Sequence, residues 1–217
     1  GDLAQQTTML RFSHRFGETS GIGALARAVN TGDAEQADRI WQDHYPDLNR
    51  PHLGTIHDPQ LEQLCVTGYT PCLNTIEQQR PTTADPDAID RWAREVLRAF
   101  TEFQLLCALR HGPAGVDGLN RRIANALEDA GRISRAEGWY EGRPVMITRN
   151  DYQLGLMNGD VGITLAVPDE DGSPRLRVAF QLPTGDIRLV LPSRLDRVDT
   201  VYAMTVHKSQ GSEFTHT

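Results

Sequence analysis

Ala203-Met204-Thr205-Val206-His207-Lys208-Ser209-Gln210-Gly211-Ser212-Glu213-Phe214 is the stretch on which the reading of this chain turns. Val201 to Val206 reads as a strand, and it runs into a polar turn rich in hydroxyl, imidazole, amide and glycine residues. A strand that ends this way gathers backbone N–H groups and hydroxyls at its carboxyl end. Open α/β sheets bind ligands there, and such a concavity suits phosphate oxygens. Lys208, inside the stretch, is the sole lysine among 22 basic residues.

Immediately upstream the texture is β. Pro144-Val145-Met146-Ile147-Thr148, Gly162 to Val167, Arg175 to Phe180 and Ile187 to Leu191 are strand-like. Between them stand the turn signals Asn158-Gly159-Asp160, Asp171-Gly172-Ser173 and Thr184-Gly185-Asp186. Four or five short strands in about 55 residues predict a small barrel of SH3-like size, an autonomous β-rich unit.

Further upstream the pattern alternates strand and helix. The apolar run Phe103 to Leu109, closed by Arg110-His111-Gly112-Pro113, predicts a buried central strand, and Val116 to Ala130 an amphipathic helix. A helix is expected from Asp87 through Trp92, Val96 and Leu97. Residues 46–90 hold six prolines and predict loops and short helices. Nearer the start, Ser20 is placed to cap a helix from Ile22 that Asn30-Thr31-Gly32 stops, and a second helix follows from Ala34 to about His44. Residues 7–16 read as a short strand. The whole is an α/β domain interrupted by a small β domain.

Composition narrows the function classes. The 217 residues are 39% hydrophobic and 24% charged, as in ordinary globular proteins, with no apolar run near membrane-span length and no signal-peptide pattern at the first residues, so a cytoplasmic location is expected. A net charge of −7 argues against a broad basic coat for nucleic acid but leaves room for a narrow channel. Three cysteines without CxxC spacing argue against a disulfide framework or a zinc site, and Cys107 reads as a small buried residue. The histidines outside the turn share no ligand spacing, and no metal site is expected.

The string Thr205 to Phe214 resembles motif V of superfamily-one helicases, in the form found in the RecD branch. Three further segments resemble the same family in the same order. Ser13-His14-Arg15-Phe16 with Ser20-Gly21-Ile22-Gly23 is similar to motif IV. Leu105 to Val116, continuing to Leu119-Asn120, is similar to the central strand and turn of the second motor domain. Trp139 to Ile147, Arg149-Asn150-Asp151 and Asn158 to Gly162 are similar to the inserted SH3-like domain. The resemblance implies a RecA-like second motor domain over residues 1–137, an inserted SH3-like barrel over 138–199, and a return to the motor domain over 200–217. It further implies a 5′→3′ ATP-dependent DNA helicase subunit of an exodeoxyribonuclease V type complex, acting in double-strand break repair and recombination.

Residue by residue, the resemblance puts Arg15 at the nucleotide γ-phosphate as the catalytic arginine, where a planar guanidinium pairs with phosphate oxygens. Gln210, Gly211 and Glu213 fall on the nucleotide side, with Gly211 allowing close backbone approach. Thr205 and His207 face the single-stranded DNA backbone. Lys208 either neutralises a phosphate or is a solvated turn lysine. Asn158 is either a plain hairpin turn or a DNA contact, and Trp139 and Tyr140 either pack the barrel or stack on a base. ATP and Mg2+ are the implied cofactors. The implied partners are single-stranded DNA, an N-terminal motor domain and RecB- and RecC-type subunits, with no membrane.

The sequence contains no Gly-x-x-x-x-Gly-Lys-Ser/Thr phosphate loop and no recognisable acidic magnesium motif, and it stops before an arginine-bearing motif VI. Alone, the chain is therefore expected to hold no nucleotide cofactor and to hydrolyse nothing. Two rival readings remain: a non-catalytic SH3-like module docking a protein partner, and a nuclease or phosphatase, which needs a carboxylate cluster that the sequence does not display.

Overall fold

The computed structural model describes residues 16, 17, 19–55 and 58–217, in two compact units, Gly1–His52 and Leu53–Thr217. The strand expected over residues 7–16 and, with it, Ser13, His14 and Arg15 lie outside the described residues.

In the first unit, α1 (Gly21–Thr31) and α2 (Ala34–Gln42) form a helical pair. Ser20 is the N-cap of α1, and its hydroxyl accepts from the Gly23 amide at 3.1 Å. The same hydroxyl donates to Asp47 at 2.6 Å, and the Asp47 carboxylate accepts from the Gly21 and Ile22 amides as well. Four hydrogen bonds through the Ser20 and Asp47 side chains thus converge on the first turn, where backbone donors are otherwise unpaired. A Cβ on Gly21 would lie 2.4 Å from the Tyr45 Cβ, so only glycine lets the chain close over this cap. The Ser20 hydrogen bond, ahead of the two amide bonds, holds the Asp47 carboxyl below its ordinary range.

The second unit begins with the largest departure from expectation. Residues 59–78 form one 20-residue helix, α3 (Pro59–Gln78), where loops and short helices were expected. Pro59 sits in the first turn, where its missing N–H costs nothing, and Asp58 caps the Gln60 amide at 2.9 Å. Pro71 lies inside the helix; Cys65, Tyr69, Cys72, Leu73 and Ile76 form a buried stripe on either side of it. That burial outweighs the roughly 3 kcal/mol an interior proline costs. Helix α4 (Pro86–Phe100) packs on it, burying Ile89, Trp92, Ala93, Val96, Leu97 and Phe100.

Strand β1 (Leu105–Cys107) is shorter and less buried than the apolar run suggested: all three residues are half-buried, Leu109 is 56% exposed, and Cys107 is not a buried residue. It pairs in parallel with β7 (Ala203–Thr205), Leu105 opposite Ala203. Helix α5 (Val116–Asp129) buries Leu119, Ile123 and Leu127. Between these lies a five-stranded antiparallel sheet in the order β5-β4-β3-β2-β6: β2 (Pro144–Ile147), β3 (Val161–Pro168), β4 (Pro174–Gln181), β5 (Ile187–Val190) and β6 (Val198–Thr200).

The sheet has two buried faces. Val145, Ile147, Leu154, Leu156, Val178, Phe180 and Val190 form a core of their own. Ile163, Leu165 and Ala179 instead join the cluster built by α3, α4 and α5. One face of the β-rich segment is thus packed against the helices, while the other encloses a core of its own. Arg94 of α4 also donates to the Gly185 carbonyl at the β4–β5 turn. Tyr140 is buried, and Trp139 packs against the barrel core with the Arg143 guanidinium 4.7 Å above its ring, so both aromatics serve packing.

Candidate nucleic-acid interface

The turn after β7 is held by its own backbone. The Thr205 carbonyl accepts from the Lys208 and Ser209 amides at 2.9 and 3.2 Å, and the Ser209 hydroxyl donates to the Val206 carbonyl at 2.8 Å. The Ser212 amide donates to the Ser209 carbonyl, and Gly211 has φ +87°. A Cβ on Gly211 meets no atom within 4 Å, so the glycine answers to backbone conformation and not to crowding inside this chain. Beyond the turn, Phe214 packs with Met204, Val201 and the barrel residue Met146. The turn is therefore tied down at both ends, while His207, Lys208, Gln210 and Glu213 are exposed and Thr205 is half-buried.

Strand β7 is positioned by buried amides. The Asn120 side chain, from α5, donates to the Ala203 carbonyl and accepts from the Ala203 amide, both at 2.9 Å. It thus stands in for a neighbouring strand at one residue. Gln104, fully buried, donates to the Tyr202 carbonyl at 2.9 Å, and the Tyr69 hydroxyl donates to the same carbonyl. Burial pushes the Tyr69 and Tyr202 phenols well above their ordinary pKa, so both stay protonated donors. Sequence reasoning placed Leu119-Asn120 in a family-like segment but missed what Asn120 does; a polar residue on the apolar stripe of a helix was the available signal.

Two expected contacts meet across the chain. The Lys208 ammonium donates to the Asn158 side-chain carbonyl at 2.9 Å, so the turn and the barrel's Asn158-Gly159 loop touch. Asn158 is at once a turn residue and the partner of Lys208: its amide donates to Asn150 at 2.8 Å. Thr205 and His207 lie on the same turn as Lys208. Arg15 is outside the described residues. Among the described residues no group of three His, Cys, Asp or Glu side chains could hold a metal ion, and no helix is long and apolar enough to cross a membrane.

The sequence that builds this strand pair and sheet is similar to known proteins. Residues 119–180 match the family described as the ATP-dependent RecD-like DNA helicase SH3 domain, from within α5 to the end of Phe180 in β4. Over 204 residues the chain is 38% identical to the RecBCD enzyme subunit RecD of Mycolicibacterium smegmatis, covering 94% of this chain and 32% of that protein. It is 34% identical over 216 residues to the RecD subunit of Haemophilus influenzae, with 94% and 31% covered. The ATP-dependent RecD2 DNA helicase of Deinococcus radiodurans matches at 36% over 115 residues, with 51% and 15% covered. The chain is similar to RecD-type helicases and spans about a third of the length of the RecD subunits it matches.

Proposed function

We propose that this chain is the second, RecA-like motor domain of an ATP-dependent DNA helicase subunit, with its SH3-like barrel inserted between β1 and β7. The parent acts 5′→3′ on single-stranded DNA within a helicase–nuclease that processes double-strand breaks, together with RecB- and RecC-type subunits. The observation that carries the reading is the exposed Thr205–Glu213 turn at the carboxyl end of a parallel strand, joined to the barrel through Lys208 and Asn158. Thr205, His207 and Lys208 grip the DNA backbone, while Gln210, Gly211 and Glu213 face ATP and its Mg2+. Arg15 stabilises charge on the γ-phosphate in the transition state. ATP binds between this domain and a motor domain carrying the phosphate loop, and closure of that cleft moves the grip along the strand.

The 217 residues alone are expected to release no phosphate from ATP, with or without single-stranded DNA. In the full-length parent, Arg15→Ala is expected to lower turnover about a hundredfold or more and to spare DNA affinity. His207→Ala is expected to weaken single-strand binding by about 1 kcal/mol and to blunt DNA stimulation of ATPase more than the basal rate. Arg15→Ala that weakens DNA binding yet leaves turnover intact would sink the assignment of Arg15.

A further inference from the structure

The connection between β2 and β3 meets the turn after β7 twice, at its tip and at its stem. At the tip, the Lys208 ammonium donates to the Asn158 side-chain carbonyl at 2.9 Å. At the stem, Met146 and Val161 stand opposite each other in the β2–β3 register. Met146 joins Val201 and Met204 in the apolar cluster against which Val161 and Phe214 both pack. One contact therefore lies near the start of the turn and the other just beyond its end.

The tip is held by bonds that do not use the Asn158 side chain. The Asn158 amide donates to the Asn150 side chain at 2.8 Å, and the Gly159 amide to the Ile147 carbonyl at 2.8 Å. The Asp160 amide donates to the Met157 carbonyl at 3.0 Å, and the Asp160 carboxylate accepts from the Met157 amide at 2.7 Å. Gly159 has φ +101°, which closes the turn around Asn158. The Asn158 carboxamide thus stands on a backbone fixed on both sides.

Lysine carries a compact charge on a flexible stem, and a head fixed only through its backbone must be ordered when it meets a phosphate. Here both ends are held: the Lys208 amide donates to the Thr205 carbonyl at 2.9 Å, and the ammonium donates to Asn158. The chemistry of the partner decides what this contact does. A carboxamide is neutral, so it orders the ammonium without cancelling its charge as a carboxylate would. An ammonium has three N–H donors, so two are left for phosphate oxygens.

We propose that Asn158 is a positioning residue, which holds the Lys208 ammonium ready for a backbone phosphate and does not itself touch the strand. This inference rests on the DNA-gripping reading of the turn. The test is a double-mutant cycle read by fluorescence anisotropy of a labelled single-stranded oligothymidylate, about twenty nucleotides long, titrated with the 217-residue chain at several salt concentrations. Lys208→Ala is expected to weaken binding about fivefold and to lower the slope of log affinity against log salt by about 0.7, the increment for one phosphate contact on a single strand. Asn158→Ala is expected to weaken binding about threefold with the slope unchanged, the cost of ordering one freed side chain. In the Lys208→Ala background it is expected to cost nothing further. Asn158→Asp keeps the side-chain shape, so it tests the contact even where the alanine variant loses the loop. It sets a carboxylate against the lysine and is expected to lower the slope by about 0.7, as Lys208→Ala does.

Equal losses from Asn158→Ala with and without Lys208 would make Asn158 a direct contact of the strand and overturn the proposal. Tighter binding by Asn158→Ala would mean that the loop withholds the lysine, which overturns it as well. Wild-type binding by Asn158→Ala, alongside weakened binding by Lys208→Ala, refutes the positioning role and leaves the turn standing. Wild-type binding by Lys208→Ala, or no oligonucleotide binding at low salt, sinks the reading of the turn and this inference with it.

Discussion

Asn120→Leu tests how β7 is held. The native side chain makes three hydrogen bonds at 2.9 Å: to the Val116 carbonyl, to the Ala203 carbonyl and from the Ala203 amide. Asn120 is 7% exposed and Ala203 is fully buried, so water does not readily replace what is lost. Leucine has the same branched four-atom skeleton, so no cavity is left and the change is mainly the loss of polar atoms. Two buried backbone groups of Ala203 are left unpaired, each costing about 1–3 kcal/mol. The better burial of leucine offsets part of that, for a net destabilisation of about 3 kcal/mol. Against a total of about 5–15 kcal/mol that is a large loss. Urea unfolding followed by circular dichroism should move to a midpoint lower by about 1.5 M, taking a slope of about 2 kcal/mol/M. Native-state hydrogen exchange should show the Ala203 amide losing protection beyond the global change. A midpoint within about 0.3 M of wild type, with Ala203 still protected, would refute the view that Asn120 substitutes for a strand.

Three further outcomes are expected. Asp47→Asn should destabilise the first unit at neutral pH. Because the folded Asp47 carboxyl lies below its unfolded value of 3.8, the stability it adds is complete above that value and lost as pH falls through the folded one. The gap between wild type and variant, read from urea midpoints, should therefore close in acid; a gap constant from neutral pH down to 2 contradicts the linkage. Burial pushes the Cys65 and Cys72 thiols up to about 12, so an alkylating reagent at pH 8 should label neither in the native chain, while urea exposes all three cysteines. Mass spectrometry showing native labelling of Cys65 or Cys72 would contradict their burial. Residues 138–199 expressed alone should fail to give a monomer with dispersed amide signals, since Ile163, Leu165 and Ala179 would lose the helices they pack on; a well-dispersed monomer would show that the barrel core suffices.

What the sequence disclosed depended on whether a local signal met a competing one. Ser20, Gly32 and the apolar spacing of α1 agreed with one another, and the helix begins one residue from where it was expected. The barrel strands were legible because each alternating run is closed by a glycine turn; Gly159, Gly172 and Gly185 all have positive φ. Helix α3 was hidden because Pro59 and Pro71 outweighed the spacing of Cys65, Tyr69, Cys72 and Ile76, and a proline at the first turn carries no penalty. The run Phe103 to Leu109 overstated β1 because its burial depends on how many strands flank it, a tertiary fact. At the candidate site, the polar turn was visible as a string. The Lys208–Asn158 contact was not, since it joins residues 50 apart through a fold that no local pattern encodes.

The placing of the barrel between β1 and β7 also shapes how the chain folds. Leu105 meets Ala203 across about 98 residues of chain, a span whose closure is slow and entropically costly. Once β2 and β6 pair, Val145 stands opposite Thr200 and the Val201 amide reaches the Pro144 carbonyl at 3.1 Å. The loop still to be closed then shrinks to about 40 residues, which spares about 0.8 kcal/mol of closure entropy. The inserted sheet thus works as a splint, making a distant pairing nearly local. On this account an early-forming β2–β6 ladder sets the rate at which β7 finds its register. Mutations there should slow folding more than they hasten unfolding, even though they lie outside the turn that strand carries.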